Sequence, residues 1–304
     1  MSGVCTGRVV IVTGAGRGLG RAHALAFAAE GAKVVVNDVG AALDGSGGSS
    51  GPADDVVAEI RAAGGEAVAD GHDVADWAGA RGVIERAVAE FGRLDVLVNN
   101  AGILRDRMVV SLDEAEWDAV VRVHLKGHAA MLHHAAAYWR TEAKQGRPVD
   151  ARVINTSSGA GLLGSVGQGC YSAAKAGILG LTLVAAAELA RYGVTVNAIA
   201  PAARTRMTEA AFADTMAAPE AGAFDAMAPE NVSPLLVWLG GNDAEAAKVT
   251  GRVFELDGGR ITVADGWRRG PTVEIGRRWE PGELSAVVPA LLAESNPPEP
   301  VYGS

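Results

Sequence analysis

The sequence predicts an α/β fold, a doubly wound parallel sheet of seven strands in a single domain with a C-terminal extension. Short runs of β-branched residues alternate with longer Ala-rich runs of helical periodicity, which is typical of βαβ units. A glycine-rich turn joins the first strand to the first helix, and polar residues follow several strands. Ligands of a doubly wound sheet bind outside the carboxyl ends of its strands, so we expect the functional site there.

The strands and helices are predicted in turn along most of the chain. Strands are expected at residues 8–13, 33–38, 66–73, 94–100, 151–158, 194–200 and 251–257. Helices are expected near residues 19–30, 53–63, 76–91, 113–144, 171–191 and 229–241.

Two further segments complete this organisation. We assign residues 1–264 to the sheet domain and residues 265–304, which contain two Trp and several Pro residues, to the extension. The extension packs on the domain, crosses to a second subunit or is partly disordered. Residues 201–228 follow the sixth strand without a clean periodicity, and their position predicts a substrate lid, with a pair of surface helices as the alternative.

The composition narrows the classes of function. The 304 residues are 49% hydrophobic, enough for one large core, and carry a net charge of −9 without a stripe of Lys and Arg, which argues against a nucleic-acid binder. With only Cys5 and Cys170 and no signal-like N-terminus, a reducing compartment is expected. The apolar run 176–190 is too short to cross a bilayer and contains Glu188. We therefore expect a cytoplasmic protein without a membrane span.

A glycine-rich motif follows the first strand directly and opens the first helix, which is the context that a dinucleotide-binding turn requires. It comprises Thr13, Gly14, Gly16, Arg17, Gly18, Leu19 and Gly20. Gly14 permits the tight turn, Gly18 lets the backbone approach a pyrophosphate, and Gly20 lets the helix lie close to the sheet. The helix N-terminus would then hold the pyrophosphate.

An acidic residue at the end of the second strand predicts the coenzyme. Asp38 can accept both ribose hydroxyls of an adenosine and would repel the 2′-phosphate of NADP, so NAD is expected, although Arg17 is a counter-signal. Further along, candidate ligands of the coenzyme end the third and fourth strands. These are Asp73, Val74, Asn100, Ala101 and Gly102, with turn formation as the alternative role of the last three.

Ser158, Tyr171 and Lys175 predict proton transfer on an alcohol or a carbonyl. Tyr171 and Lys175 are four residues apart and therefore share one face of a helix. A lysine ammonium beside a phenol favours the phenolate, so we expect a lowered pKa of Tyr171, with Ser158 supplying a hydroxyl to the same oxygen.

These motifs together resemble the short-chain dehydrogenase/reductase family, whose TGxxxGxG, NNAG and Ser-Tyr-Lys patterns all occur here in order. The resemblance covers roughly residues 6–260 and implies a Rossmann-type subunit that transfers a hydride to or from a nicotinamide, commonly as a homodimer or homotetramer. It implies that Tyr171 is the acid/base, that Lys175 steadies the phenolate and the nicotinamide ribose, and that Ser158 binds the reacting oxygen. Pro201 and Thr205 are then expected beside the coenzyme.

A narrower similarity is to the (3R)-hydroxyacyl-CoA dehydrogenase domain of peroxisomal multifunctional enzyme type 2, carried by VVVNDVG, NNAGILRDR, RVHLKG, GQGCYSAAKAGILGL and IAPAARTRMT. It implies oxidation of a 3-hydroxyacyl-CoA, fatty or steroid-derived, by a free-standing dehydrogenase. His124 stands where many family members have Asn, and it is either a proton relay or a buried histidine bonded to the backbone. Arg105, Asp106 and Arg107 either steer an anionic acyl-CoA or form a solvated charge cluster.

Other functions stay open at this stage. A hydroxysteroid or other secondary-alcohol dehydrogenase, a 3-oxoacyl carrier-protein reductase and a non-catalytic NAD-binding protein are the alternatives. No metal is expected, because His124 and His128, although four apart, have no third ligand in view.

Overall fold

A single mixed sheet organises the part of the chain that the computed structural model describes, namely residues 3–42, 45–205, 208, 216, 219–220 and 222–303. Its strand order is β3-β2-β1-β4-β5-β6-β7-β8, and all neighbours are parallel except β7 and β8. The strands are β1 (Val9–Thr13), β2 (Lys33–Asn37), β3 (Glu66–Asp70), β4 (Val96–Asn99), β5 (Ala151–Thr156), β6 (Val194–Ala202), β7 (Val253–Asp257) and β8 (Arg260–Ala264).

Helices connect the strands and cover both faces of the sheet. They are α1 (Gly18–Ala29), α2 (Gly51–Ala62), α3 (Trp77–Phe91), α4 (Glu114–Val121), α5 (Gly127–Lys144), α6 (Gly159–Leu163), α7 (Gly169–Leu189), α8 (Ser233–Gly240) and α9 (Leu284–Glu294). The predicted doubly wound α/β fold is confirmed.

The sheet has one more strand than the sequence analysis predicts. The two glycines at 258–259 turn β7 directly into β8, and Asp257 pairs with Arg260 across this hairpin. Glycine pairs favour such two-residue hairpin turns, so the sequence contains a local signal for this extra strand. Ile261 and Val263 of β8 are exposed, so the strand lacks the buried, β-branched run that identifies the inner strands.

The inner strands are buried on both faces, which explains their almost continuous apolar sequences. Val10 and Val12 of β1 pack towards the face covered by α1, α2 and α8, whereas Val9 and Ile11 pack towards the face covered by α3, α5 and α7. Alternate side chains of a strand point to opposite faces. The sheet is thus packed between two apolar cores. These cores fix the positions of the carboxyl ends of its strands.

The predicted helix 113–144 is interrupted at Arg122–Lys126, which forms a π-helical turn between α4 and α5. Such π-helical turns are rare and frequently occur at functional sites. His124 lies in the middle of this turn and is buried.

The apolar run 176–190 belongs to a longer helical segment than expected. The segment Gly169–Tyr192 is 24 residues long and, by length and composition alone, suffices to cross a membrane. One face of α7 is buried, including Lys175 and Ile178, while Leu183 and Val184 are exposed. The core helix of a soluble protein can have the same length and composition, so the absence of a span stays a prediction, and the expected buried helix is buried on one face only.

Residues 206–207, 209–215, 217–218 and 221 of the predicted lid at 201–228 lie outside the described residues, so the lid stays a prediction. In the extension, α9 has no buried residue, but the end of the described chain packs on the sheet domain. Val166 N–H donates to Tyr302 O at 2.9 Å, and Tyr302 N–H donates to Gly164 O at 3.2 Å. Around Tyr302, the extension therefore packs on the sheet domain, which is one of the three alternatives for this segment.

Candidate active site

The glycine-rich turn brings the start of α1 close to the ends of β1 and β4. Gly14 and Gly18 have φ of +62° and +53°, a region that side chains with a Cβ rarely adopt. A Cβ on Gly20 would collide with the carbonyl oxygen of Gly14 and would lie 2.6 Å from Asn100 Nδ2. These glycines therefore allow a close contact between turn, helix and sheet, which places the N-terminus of α1 at the cavity, where an anion could bind.

Thr13 stabilises this turn by hydrogen bonds to the residues that follow β4. Its Oγ1 accepts hydrogen bonds from the N–H groups of Asn100 at 2.9 Å and Ala101 at 3.1 Å, and Asn100 Nδ2 donates to Thr13 O at 2.9 Å. The ends of β1 and β4 are therefore locked together. Thr13 fixes the backbone of the predicted coenzyme residues without lining the cavity itself.

Asp38 lies directly after β2 and joins two loops. Its Oδ2 accepts from Gly16 N–H at 2.8 Å and its Oδ1 accepts from Gly40 N–H at 2.6 Å. Each carboxylate oxygen has more than one acceptor position, so the side chain can still accept hydroxyl groups from a ligand. Gly16 thus acts through Asp38 and does not line the cavity.

An ion pair lies beside the end of β3, between Asp73 and Arg122. Asp73 accepts a hydrogen bond from Arg122, which begins the π-helical turn. Both residues line the cavity with Val74. Asp73 thus has a cationic partner, Arg122, in the turn between α4 and α5. The spacing of the two residues in the sequence does not reveal this pair.

A cavity of about 580 Å³ runs along the carboxyl ends of the strands, within the usual range for a bound organic ligand. Most predicted coenzyme residues line it, namely Gly14, Arg17, Gly18, Leu19, Gly20, Asp38, Asp73, Val74, Asn100, Ala101, Gly102, Tyr171, Lys175, Pro201 and Thr205. The four candidate catalytic residues, Ser158, Tyr171, Lys175 and His124, line it as well. A carboxylate at one end, a glycine turn at a helix N-terminus and a buried Tyr-Lys pair at the other end fit a dinucleotide with a nicotinamide.

Tyr171 and Lys175 lie on the buried face of the first turns of α7. Lys175 Nζ donates to Thr156 O at 2.6 Å and lies 5.5 Å from the centroid of the Tyr171 ring. Ser158 follows β5 and starts α6, where its Oγ accepts from Ala160 N–H at 3.2 Å. Its hydroxyl lies near enough to the Tyr171 phenol to lower the pKa of that phenol. The three side chains therefore meet in one cavity, as the sequence predicted.

The pKa of Tyr171 differs from the expectation. Burial raises it to about 12, and the nearby Ser158 hydroxyl opposes this only in part. Burial also lowers the pKa of Lys175 to about 7. Because desolvation disfavours the charged form of each group, the expectation that Lys175 lowers the pKa of Tyr171 is wrong for the protein alone.

His124 is held under the active site by the π-helical turn. Its Nε2 lies 2.7 Å from Ile103 O and 3.1 Å from Ile103 N, and its ring packs edge-on against Tyr171 with 5.2 Å between centroids. Burial holds the pKa of His124 well below its ordinary value. The imidazole is therefore neutral near pH 7. Its hydrogen bonds to the backbone of Ile103 agree with the alternative of a buried histidine bonded to the backbone. Its role as a relay stays a prediction.

Thr205 faces the glycine turn from the loop after β6. Its Cγ2 would lie 3.4 Å from a Cβ placed on Gly18, and its N–H donates to Thr208 Oγ1 at 2.8 Å. Pro201, within β6, lines the cavity beside it. Both residues therefore line the cavity in which the coenzyme is expected. Among the residues that the structure describes, no group of three potential metal ligands comes together.

Several lining residues were missed by sequence reasoning. The Gly/Ser-rich loop after β2 contributes Gly45, Gly47 and Gly48, and the start of α7 contributes Gln168. The unusual length of the loop was a usable signal. Gln168 gave none, because its partner Asp106 is 62 residues away.

The fold and this site define a dinucleotide-dependent oxidoreductase of the short-chain type. The family model described as short chain dehydrogenase matches residues 8–215. The chain therefore belongs to the short-chain dehydrogenase family, as the sequence motifs indicated, and such enzymes act on CH–OH groups.

Three known proteins are similar over most of the chain. The hydroxyacyl-CoA dehydrogenase ChsB1 of Mycobacterium tuberculosis is 46% identical, covering 96% of this chain and 90% of its own. Mouse peroxisomal multifunctional enzyme type 2 is 44% identical over 92% of this chain, which spans 36% of that longer enzyme. A crystal structure of a short-chain dehydrogenase from Mycobacterium avium is 64% identical, with a TM-score of 0.89 over 99% of this chain and 100% of that one.

Proposed function

We propose that the protein is an NAD-dependent dehydrogenase that converts a (3R)-3-hydroxyacyl-CoA, fatty or steroid-derived, to its 3-oxoacyl-CoA. The observation that carries the proposal is that Ser158, Tyr171 and Lys175 line the same cavity as Asp38, with Lys175 Nζ 5.5 Å from the centroid of the Tyr171 ring. The similarity to a hydroxyacyl-CoA dehydrogenase over almost the whole length of both chains supports the substrate class.

NAD is favoured over NADP by the charge at the adenosine end. Asp38 is fixed by two backbone N–H groups, so its carboxylate cannot easily turn away from a ligand. A 2′-phosphate would meet this negative charge at short range. Arg17 also lines the cavity, and it is the group through which NADP would bind if the proposal is wrong.

In the oxidative direction, the substrate hydroxyl binds between Ser158 and Tyr171. Tyr171 takes the hydroxyl proton, and a nicotinamide held beside Tyr171 and Lys175 would supply the hydride acceptor and a positive charge at this end of the cavity. That charge and a protonated Lys175 both favour the phenolate, which offsets the effect of burial on Tyr171. Ser158 holds the oxygen that becomes the carbonyl.

His124 is proposed as the group behind this proton transfer. Its Nδ1 is buried and has no hydrogen-bond partner among the described residues, and its ring touches Tyr171. A water bound to this nitrogen would give the proton a path away from the phenol.

We also propose a homodimer or homotetramer in the cytoplasm. A groove between α5 and α7 is lined by Leu132, Leu181 and Val184, and Val184 is 55% exposed although it lies on an apolar helix. Large apolar side chains on a surface often mark contacts between subunits. Light scattering of Val184→Asp against wild type tests this, because a monomeric wild type would contradict the proposal.

The substrate and coenzyme are tested together by one panel. (3R)- and (3S)-3-hydroxyacyl-CoAs, a steroid-derived CoA ester and simple secondary alcohols are each incubated with NAD and with NADP, and reduced nicotinamide is followed by absorbance. We expect the highest kcat/KM for a (3R)-hydroxyacyl-CoA with NAD. A preference for NADP would contradict the role of Asp38. Turnover of free steroids or alcohols but not of CoA esters would support the alternative dehydrogenases, and NAD binding without turnover would support a non-catalytic protein.

A further inference from the structure

A side-chain pair outside the catalytic trio links two segments at the substrate end of the cavity. Gln168 Nε2 donates to Asp106, with distances of 3.1 Å to Oδ1 and 3.0 Å to Oδ2. Gln168 is 6% exposed and precedes α7, three residues before Tyr171. We call these two residues the amide clasp.

Backbone contacts hold the clasp in place. Arg107 N–H donates to Gly167 O at 2.7 Å, and Cys170 Sγ lies 3.4 Å from Arg105 O. Arg107 also pairs with Glu116 at 3.0 Å. The segment that the sequence analysis treated as either a steering or a solvated charge cluster is thus a structured clasp in which Asp106 is turned inward.

The chemistry of Asp106 fixes the orientation of the Gln168 amide. A carboxylate only accepts hydrogen bonds, so the amide nitrogen must face Asp106 and the amide oxygen must face away from it. Gln168 lines the cavity with Tyr171 and Ser158, whereas Asp106 does not. No donor from the described part of the chain reaches the amide oxygen of Gln168. The clasp therefore presents a fixed acceptor at the substrate end of the cavity.

The place of this acceptor in the cavity selects a donor on the substrate. Gln168 caps the N-terminus of α7 and lines the cavity together with Tyr171 and Ser158, so its amide oxygen faces the part of the substrate next to the reacting hydroxyl. In an acyl-CoA, the amide N–H nearest the sulfur follows the thioester by two methylene groups and is the first donor beyond the 3-hydroxyl. An alkyl thioester has no such donor.

We propose that Gln168 is a specificity-determining residue that accepts a hydrogen bond from the amide N–H of the thioester arm, and that Asp106 is a positioning residue that orients the Gln168 amide. This inference rests on the proposed hydroxyacyl-thioester substrate. It deepens that proposal by assigning the arm of the substrate, rather than its acyl group, to the side of the cavity near the start of α7.

The test compares two substrates that differ only in the donor. The (3R)-3-hydroxybutyryl thioester of N-acetylcysteamine carries the amide, and the matching S-butyl thioester lacks it. For Gln168→Leu we expect kcat/KM with the amide-bearing thioester to fall about tenfold, mainly through KM, because a hydrogen bond is lost and a donor is left unpaired. With the S-butyl thioester the change should stay within about twofold.

The clasp itself is tested by exchanging its partners. Asp106→Asn lets the Gln168 amide turn, so it should also raise KM for the amide-bearing thioester. In the double variant Asp106→Asn with Gln168→Glu, the new amide at position 106 donates to the new carboxylate at position 168. The free carboxylate oxygen can still accept from the substrate, so most of the loss in kcat/KM should be recovered. Asp243→Asn, which alters a loop carboxylate outside the cavity lining, is the matched control and should leave both substrates unaffected.

Each result decides between the two proposals. Equal losses on both thioesters in folded Gln168 and Asp106 variants, or no loss on either, would overturn the role of the clasp while leaving the proposed function intact. If the wild type oxidises neither thioester but does oxidise other alcohols, the proposed function fails and this inference falls with it. If Gln168→Leu does not fold, as judged by its Tm, the Asp106 variant and the double variant decide the question.

Discussion

The carboxylate of Asp38 accepts a hydrogen bond from the backbone N–H of Gly16, with 2.8 Å between Oδ2 and N. The acidic end of β2 and the glycine turn after β1 therefore form one structural unit. Besides its proposed role in selecting the coenzyme, the acidic residue after the second strand thus also shapes the glycine turn. A Cβ on Gly16 would lie 2.8 Å from the same oxygen, which leaves no room for a side chain at that position.

Asp38→Asn should weaken NAD binding and relieve the discrimination against NADP. The amide has one accepting oxygen for the two N–H groups that the carboxylate now binds, and it carries no charge to repel a phosphate. We expect the Kd of NAD to rise about tenfold and the preference for NAD over NADP to fall by at least as much. Isothermal titration of both coenzymes measures these changes. Asp54→Asn, on α2, is the control, and an unchanged coenzyme preference in Asp38→Asn would contradict the assignment.

Tyr171→Phe should abolish turnover without affecting coenzyme affinity. The ring and its packing against His124 are retained, whereas the proton-accepting oxygen is lost. General acid–base groups contribute about 10²–10⁴-fold to rates, so we expect kcat to fall at least about 100-fold and the Kd of NAD to change less than about twofold. Stopped-flow absorbance and fluorescence titration give the two values. Tyr192→Phe, at the far end of the same helical segment, should behave as wild type. Substantial activity in Tyr171→Phe would exclude Tyr171 as the acid/base.

Tyr302 should support the loop that carries Ser158. Its ring would lie 2.9 Å from a Cβ on Gly159, and its phenol donates to Glu255 Oε1 at 3.2 Å. Tyr302→Ala removes the ring from beside Ser158, so we expect kcat to fall about threefold and Tm to fall by a few degrees. Steady-state kinetics and thermal unfolding measure both.

The matched control for this variant is Tyr302→Phe. It keeps the ring and the backbone bonds to Gly164 and Val166 and loses only a half-exposed hydrogen bond, so it should stay close to wild type. If Tyr302→Ala leaves kcat unchanged, the end of the chain does not position the Ser158 loop.

The parts of the fold and site that could be predicted from sequence depend on short-range patterns. The glycine turn, the Asp38 position and the Tyr171–Lys175 spacing are each contained within one strand–turn–helix unit, where local chemistry and periodicity determine the structure. The motifs also carried the family assignment, which the family model and the similar proteins confirm.

The features of the fold and site that could not be predicted from sequence depend on contacts between distant residues and on burial. The bond between Asp106 and Gln168 joins segments that no periodicity relates. The raised pKa of Tyr171 follows from the loss of solvent around a helix whose surroundings the sequence does not specify. The π-helical turn at His124 likewise interrupts a run with ordinary helical periodicity, so one continuous helix was the natural prediction.

A buried histidine that does not line the cavity should make the protein sensitive to acid. His23 on α1 is fully buried, its Nδ1 lies 2.9 Å from Ser233 Oγ, and burial lowers its pKa from 6.5 to about 3. Between these values the unfolded chain binds a proton that the folded chain does not, so this contribution to stability is complete above about pH 6.5 and is lost as pH falls towards 3.

His23→Asn retains a hydrogen-bonding group for Ser233 and removes this titration. We expect the free energy of unfolding of wild type to fall more steeply with decreasing pH than that of the variant, by up to about 1.4 kcal/mol per pH unit. Urea unfolding at intervals between pH 7 and pH 5 measures the difference. Phe27→Leu, on the buried face of the same helix, lowers stability without a titrating group and should keep the wild-type slope. Parallel curves for wild type and His23→Asn would show that His23 is not kept neutral by burial, since both chains would then release the same number of protons on folding.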